Sequence, residues 1–222
     1  MRTASTWTFA CLGAHPDVSF PAGKQIHFWD KQRDLGLDWY RQLFASDTAT
    51  HTGEITPAYA LLADETVGEV ARAFPDLRTF FVVRDPVERA WSSVRLHLRR
   101  NEVDPETAPI ELLQTRLAGN GIRKRNAYAS TIDVWQQHFG EQFAVFDYAQ
   151  LTSEPVVFLC ALADHLRLEP TAFTTPSDVM AARLGEPLNV APDLAMPDEL
   201  RAEALERFAA EIDWYARFSR SE

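Results

Sequence analysis

The sequence predicts a single α/β domain over residues 1–222, in which a parallel β-sheet is flanked by helices on both sides. The 222 residues are 46% hydrophobic and include 14 phenylalanines, which is enough apolar material for a packed core. Residues 78–83 are aromatic and β-branched with almost no polar break, as is typical of a strand buried on both faces. Segments of strand character alternate with helical segments, and this order indicates a parallel sheet.

The individual elements follow from residue spacing and from breaks at proline and glycine. The first helix is predicted to begin near Ser5, because Ser and Thr accept hydrogen bonds from the unpaired N–H groups of a first helical turn. A second strand is predicted over 142–146. Further helices are predicted over 34–44, 65–74, from 86 onward, up to Gly119, and over 127–139, 153–166 and 198–218, whereas 101–109 and 170–196 are predicted to be irregular.

The strand at 78–83 runs directly into a tight turn and a helix. In Arg84-Asp85-Pro86-Val87-Glu88-Arg89-Ala90-Trp91-Ser92, Asp85 is suited to cap the helix and Pro86 to its first position. Ligands of open α/β sheets bind at the carboxyl ends of strands, which makes Arg84 and Ser92 candidate ligand-binding residues. The alternative for Arg84 is an ion pair at the end of the strand.

The start of the chain, Met1-Arg2-Thr3-Ala4-Ser5-Thr6-Trp7, places small hydroxylated residues behind one arginine. The free N–H groups of a helix beginning there, together with Arg2, would form a cradle for an anion. The alternative is an ordinary capped helix. A second cationic feature is Arg123-Lys124-Arg125, for which a solvated helix face is the alternative to a binding role.

Charge and cysteine content exclude several classes of protein. The net charge of −10 argues against a nucleic-acid-binding protein, so any cationic pocket must be local. Cys11 and Cys160 have no metal-type spacing, and two buried thiols are expected in preference to a disulfide or a pair of ligands. The chain shows no signal peptide and no long apolar run, from which we expect a cytoplasmic protein with no membrane partner.

Four blocks of the sequence resemble, in order, the motifs of sulfotransferases that use 3′-phosphoadenosine 5′-phosphosulfate (PAPS), nearer the carbohydrate (heparan-type) and bacterial members than the steroid type. Residues 2–6 resemble the loop that holds the 5′-phosphosulfate. Residues 24–30, Lys-Gln-Ile-His-Phe-Trp-Asp, resemble the family's Lys-Glu-x-His-Phe-Phe-Asp. Residues 53–59 resemble Gly-Glu-Lys-Thr-Pro-x-Tyr, and residues 84–92 resemble the 3′-phosphate motif Arg-(Asp/Asn)-Pro-x-x-Arg-Ala-x-Ser.

The resemblance implies a P-loop-like fold, PAPS as the co-substrate, no metal, and a carbohydrate or small-molecule acceptor. Sulfuryl transfer is similar to phosphoryl transfer, which is catalysed by positioning and by neutralising charge, and a base must take the acceptor's proton. The resemblance to the family also implies the residues that bind the nucleotide: Arg2, Thr3, Ala4, Ser5, Thr6, Trp7, Arg84, Ser92, Arg123 and Tyr128.

The departures from the family pattern affect the catalytic assignments. Gln25 stands where the family has its glutamate base, and Ile55 stands where it has a lysine. We predict His27 as the base, because a histidine titrates near neutrality, with a hydrogen-bonded structural histidine as the alternative. Glu54 is the reserve candidate, otherwise a buried partner for Arg2 or for the backbone, and Arg2 completes the predicted catalytic set.

The largest departure is that the family's buried first strand has no counterpart before the nucleotide loop. Either the true start of the protein lies upstream of Met1, or the sheet is built without that strand. A missing central strand would leave the backbone groups of its neighbouring strands unpaired. Another segment of the chain or a second subunit would then fill the gap, so a homo-oligomer is kept as an alternative. Two functions are therefore considered: an active PAPS-dependent sulfotransferase, and a non-catalytic relative that binds a nucleotide or another ligand. A kinase of the P-loop type is disfavoured, because Gly-x-x-x-x-Gly-Lys-Ser/Thr is absent.

Overall fold

The computed structural model describes residues 3–45, 48–104, 106–186 and 194–220 of the chain. Within these ranges the chain forms four β-strands: β1 Val18–Ser19, β2 His51–Thr52, β3 Thr79–Val83 and β4 Phe143–Asp147. The α-helices are α1 Ser5–Gly13, α2 Phe28–Lys31, α3 Leu37–Ala45, α4 Asp64–Ala73, α5 Pro86–Arg100, α6 Ile110–Leu117, α7 Asn120–Asn126, α8 Tyr128–Phe139, α9 Tyr148–Ser153, α10 Pro155–Leu166, α11 Thr171–Thr174, α12 Asp178–Leu184, α13 Asp198–Arg207 and α14 Ala209–Phe218.

The longer strands, β3 and β4, pair in parallel from Thr79 opposite Phe143 to Val83 opposite Asp147. Successive side chains of a strand point to opposite faces. On one face, Val82 and Phe146 pack against α1 and α10, and on the other, Phe81, Val83 and Phe143 pack against α4 and α8. A third cluster joins α5, α6 and α13. The predicted α/β class, with parallel strands between two layers of helices, is therefore confirmed.

The shorter strands form a second parallel pair, in which Val18 lies opposite His51. Among the described residues, the two pairs belong to separate two-stranded sheets. A cavity of about 770 Å³ is lined by β2, by most of β3 and by Thr3, the first described residue of the nucleotide loop.

Three predicted boundaries are wrong for local reasons. The helix predicted over 153–166 begins two residues later, because Pro155 opens α10, and Ser153 ends the separate short helix α9. The segment 198–218 is two helices, which meet at the buried Phe208. Within 170–196, predicted to be irregular, the chain forms α11 and α12. Ser177 caps α12 by accepting a hydrogen bond from the Met180 N–H at 3.3 Å.

The structure describes both cysteines of the chain, Cys11 and Cys160. Cys11 is a buried free thiol, whose pKa burial raises to about 12, and Cys160 is a partly buried free thiol. Both cysteines are free thiols, as expected, but the predicted burial is confirmed for Cys11 alone. In the part of the chain that the structure describes, no helix has the length and apolarity needed to cross a bilayer, and no group of three or more His, Cys, Asp or Glu side chains is placed to bind a metal ion.

Candidate active site

The turn before α1 has a left-handed backbone at Ala4, with φ 53° and ψ 21°. An L-residue adopts this conformation at a cost of about 1–2 kcal/mol, whereas glycine, the family's residue at this position, adopts it freely. The predicted helix start near Ser5 is confirmed, but the predicted cap by a Ser or Thr side chain is wrong. Ala4 occupies the capping position and makes no side-chain hydrogen bond to the first turn. The N–H groups at the start of α1 are therefore available to an anion.

Lys24 lies against this turn. Its ammonium donates hydrogen bonds to the hydroxyl oxygens of Thr6 at 2.6 Å and of Ser5 at 3.3 Å. Burial lowers the pKa of the Lys24 ammonium. Within the described ranges, no carboxylate is hydrogen-bonded to it. Sequence reasoning missed this residue, because it lies 18 and 19 positions away from its partners. Arg2, which was predicted to supply the charge here, lies outside the described residues.

His27 precedes α2 with a left-handed backbone, φ 60°, and its Nδ1 lies 3.0 Å from both carboxylate oxygens of Asp30. Because a carboxylate only accepts hydrogen bonds, the neutral ring carries its proton on Nδ1, which leaves the lone pair on Nε2. The His27 side chain is 21% exposed. This arrangement suits a base, with Asp30 fixing the tautomer of His27.

Glu54 is held by hydroxyl groups. Its carboxylate accepts hydrogen bonds from Tyr40 at 2.6 Å, from Tyr59 at 2.9 Å and from Thr56. Burial, and then the Glu54 charge, raise the pKa of both tyrosines. Three donors engage the lone pairs that a base would use, so the contacts favour a structural role for Glu54. Its observed partners are hydroxyls, whereas the sequence suggested Arg2 or the backbone.

The second and third sequence blocks meet in space. The Gln25 N–H donates to the carbonyl of Ile55 at 3.3 Å, and the Trp29 N–H donates to the hydroxyl of Tyr59 at 3.4 Å. The segment that contains His27 is therefore fastened to the segment that contains Glu54. Gln25 itself has a left-handed backbone, with φ 65°.

The fourth block forms the predicted strand, turn and helix. Asp85 caps α5 by accepting a hydrogen bond from the Glu88 N–H at 2.8 Å, which confirms that prediction. The Arg84 guanidinium lies 4.5 Å from the centre of the Tyr148 ring. The Tyr128 hydroxyl donates a hydrogen bond to the Arg84 carbonyl at 2.8 Å, and this bond fastens α8 to the turn. Tyr148 and Ala4 both pack against the cluster that contains Val82, and this cluster connects the two turns.

The other predicted nucleotide-binding residues differ in how far their side chains are exposed to solvent. Trp7 and Ser92 are buried, with 5% and 2% of their surface exposed. Trp7 packs within the core beside Cys11, which leaves its backbone as its means of binding a ligand. Arg123 is exposed, and its guanidinium donates to the Asn120 side chain at 3.1 Å. The roles of these residues toward a nucleotide stay predictions.

The sequence of this chain is similar to those of known sulfotransferases. Residues 56–172 match the model of the Sulfotransferase family. The human heparan sulfate glucosamine 3-O-sulfotransferase 3B1 is 32% identical over 167 residues, which cover 71% of this chain and 42% of that protein. The human 3A1 protein of the same name is also 32% identical, over 71% of this chain and 40% of its own. The chain thus spans about two fifths of the length of these relatives.

Two solved structures share the fold. A sulfotransferase from Alicyclobacillus acidocaldarius superposes with a TM-score of 0.66 at 22% identity, covering 96% of this chain and 89% of that one. The sulfotransferase domain from the curacin biosynthetic pathway superposes with a TM-score of 0.53 at 14% identity, covering 94% of each chain. The family match extends over more than half of the sequence, from the third block through β3, the 84–92 turn and α10. This chain therefore belongs to the sulfotransferase family.

Proposed function

We propose that the protein transfers a sulfuryl group from PAPS to a hydroxyl or amine of a carbohydrate or small natural product. The observation that supports this most is the position of Lys24, whose ammonium lies across the first turn of α1 beside Ser5 and Thr6. The ammonium, two hydroxyls and the free amides of the turn offer the donors that a phosphosulfate group requires.

The other end of PAPS carries a 3′-phosphate, and the cation for it would be Arg84 at the carboxyl end of β3. A guanidinium binds phosphate through two parallel N–H donors. Ala4, in the turn that Lys24 contacts, and Tyr148, whose ring lies beside Arg84, both pack against the core cluster that contains Val82. This arrangement supports the binding of one doubly charged nucleotide between Lys24 and Arg84.

In the proposed reaction, the bond between sulfur and the 5′-phosphate oxygen breaks while the acceptor oxygen or nitrogen bonds to the sulfur. The acceptor's proton passes to Nε2 of His27, which Asp30 keeps free of hydrogen by holding the Nδ1 proton. Lys24 neutralises charge on the transferring group and on the departing phosphate. The products are adenosine 3′,5′-bisphosphate and the sulfated acceptor.

The acceptor class is supported by the relatives. Two human relatives are named as heparan sulfate glucosamine 3-O-sulfotransferases, which favours a carbohydrate hydroxyl. The structure related to the curacin pathway favours a small natural product. A panel of sugars and small alcohols, assayed with ³⁵S-labelled PAPS, discriminates between the two.

A second candidate is a non-catalytic relative that binds the nucleotide without turnover. The observation in its favour is the loss of the family's base at Gln25, together with the engagement of Glu54 by three hydroxyls. If the protein is an enzyme, neither Gln25 nor Glu54 is suited to take the acceptor's proton, and sulfuryl transfer depends on His27 as the base. Calorimetric titration with adenosine 3′,5′-bisphosphate tests both candidates. An absence of binding contradicts the enzyme, and binding without transfer to any acceptor of the panel favours the second candidate.

A further inference from the structure

Arg89 is a buried cation in the first turns of α5, with 0% of its surface exposed. Its Nε donates to the side-chain oxygen of Asn126, and one Nη donates to the Ile122 carbonyl at 2.8 Å. The Asn126 side chain, also fully buried, donates back to the carbonyl of Pro86 at 3.1 Å. These reciprocal bonds, which we call the α5–α7 clasp, fasten α7 to the start of α5.

The clasp leaves an excess of positive charge. Among the described residues, no carboxylate pairs with Arg89, and its Nη1 is buried without a hydrogen-bond partner. Burial is the main cause that lowers the pKa of Arg89 to about 10; Tyr128 acts in the opposite direction, and the nearby charges of Arg125 and Arg84 contribute to the lowering. The carboxylate beside them, Asp85, is engaged in capping α5. A buried cation whose charged neighbours are also cations is costly unless an anion binds beside it.

The three cations of α7, Arg123, Lys124 and Arg125, differ in their position relative to Arg89. Arg125 is adjacent to Asn126 and one turn after Ile122, the two residues that contact Arg89. It is partly buried, and its guanidinium is held along the helix by a 2.9 Å bond to the Gly121 carbonyl. Arg123 and Lys124 are exposed, and neither acts on Arg89.

We infer that Arg125 is a ligand of the donor's 3′-phosphate, placed opposite Arg84 by the α5–α7 clasp. The inference rests on the proposed function and deepens it, because it adds a cation from a second helix to the 3′-phosphate site. It also separates Arg125 from its neighbour Arg123, to which the sequence assigned nucleotide binding. Two guanidiniums on different elements can hold a phosphate from two sides, which one arginine cannot do.

The test compares Arg125→Ala with the matched control Lys124→Ala, which removes a positive charge from an exposed position of the same helix. Each variant is titrated calorimetrically with adenosine 3′,5′-bisphosphate and with adenosine 5′-phosphate, which lacks the 3′-phosphate. Loss of a charge-assisted hydrogen bond predicts that Arg125→Ala binds the bisphosphate about 10–100-fold more weakly. Its affinity for the monophosphate changes by less than about threefold, as do both affinities of Lys124→Ala.

Arg125→Lys, which keeps the charge and loses the fork, is expected to fall between wild type and Arg125→Ala. Thermal melting identifies any variant that is unfolded, and the lysine variant then provides the comparison. The inference is overturned if Arg125→Ala and Lys124→Ala weaken bisphosphate binding equally, or if Arg125→Ala weakens the binding of both nucleotides by the same factor. A wild-type protein that binds neither nucleotide overturns the proposed function as well, whereas normal wild-type binding with an unaffected Arg125→Ala overturns the inference alone.

Discussion

Replacing Lys24 by methionine removes the ammonium beside Ser5 and Thr6 while keeping most of the apolar volume of the side chain. At about 4 Å and an effective dielectric of about 20, an ammonium and a unit negative charge interact by roughly 4 kcal/mol. Part of this energy is already present in the ground state. Removal of one donor aimed at developing charge typically costs about 10²–10³ in kcat. We therefore expect kcat for sulfuryl transfer to fall about 100-fold in Lys24→Met.

Stability should not follow activity in this variant. Because burial lowers the pKa of Lys24, folding disfavours its charged form, and at neutral pH the ammonium reduces the free energy of unfolding. Lys24→Met should therefore melt at or above the wild-type temperature. Lys31→Met is the matched control, since Lys31 is exposed on the same segment, and it should retain wild-type activity and melting.

The assay for both variants is transfer from ³⁵S-labelled PAPS to the best acceptor of the panel, with melting followed by circular dichroism. A Lys24→Met variant that retains more than about one third of wild-type kcat refutes the role given to the ammonium. A variant that loses activity only because it unfolds also refutes it, because the charge would then serve the fold.

Three further predictions concern the base, the strained turn and a partly buried histidine. His27→Ala should lower kcat about 10²–10⁴-fold with little change in affinity for adenosine 3′,5′-bisphosphate; equal losses of both would show that His27 is structural. Ala4→Gly should raise the free energy of unfolding by about 0.5–1 kcal/mol, since relief of the left-handed strain exceeds the entropy that glycine adds to the unfolded chain; a lower melting temperature would contradict this. Burial lowers the pKa of His165, whose Nε2 donates to the Thr79 carbonyl at 2.9 Å. The unfolded chain therefore binds a proton first, stability falls as pH drops below about 6.5, and urea melts of His165→Gln should show a smaller fall.

The parts of the fold that the sequence predicts are those whose signals are local. The β3 strand, the Asp85 cap and the start of α5 follow from contiguous residues, because burial pattern, cap and proline lie within a few positions of one another. The bond between His27 and Asp30 is also local, at a separation of three residues. The start of α10 at Pro155 and the Ser177 cap of α12 had readable signals that the prediction did not use.

The parts that could not be predicted depend on tertiary contacts. Lys24 reaches residues in α1, and Tyr40 reaches Glu54 across 14 positions, and no periodicity in the chain indicates either contact. The distinction between Arg123 and Arg125 depends on how α7 rotates against α5. Three adjacent cations look alike in sequence, and the α5–α7 clasp is what tells them apart.

The central claim is that the Lys24 turn and the Arg84 turn bind opposite ends of one nucleotide. Calorimetric titration of the wild type, of Lys24→Met and of Arg84→Ala with adenosine 3′,5′-bisphosphate tests it most directly. We predict one nucleotide bound per chain, with a single binding event that both substitutions weaken. No binding, or two independent sites of which each substitution removes one, would contradict the claim.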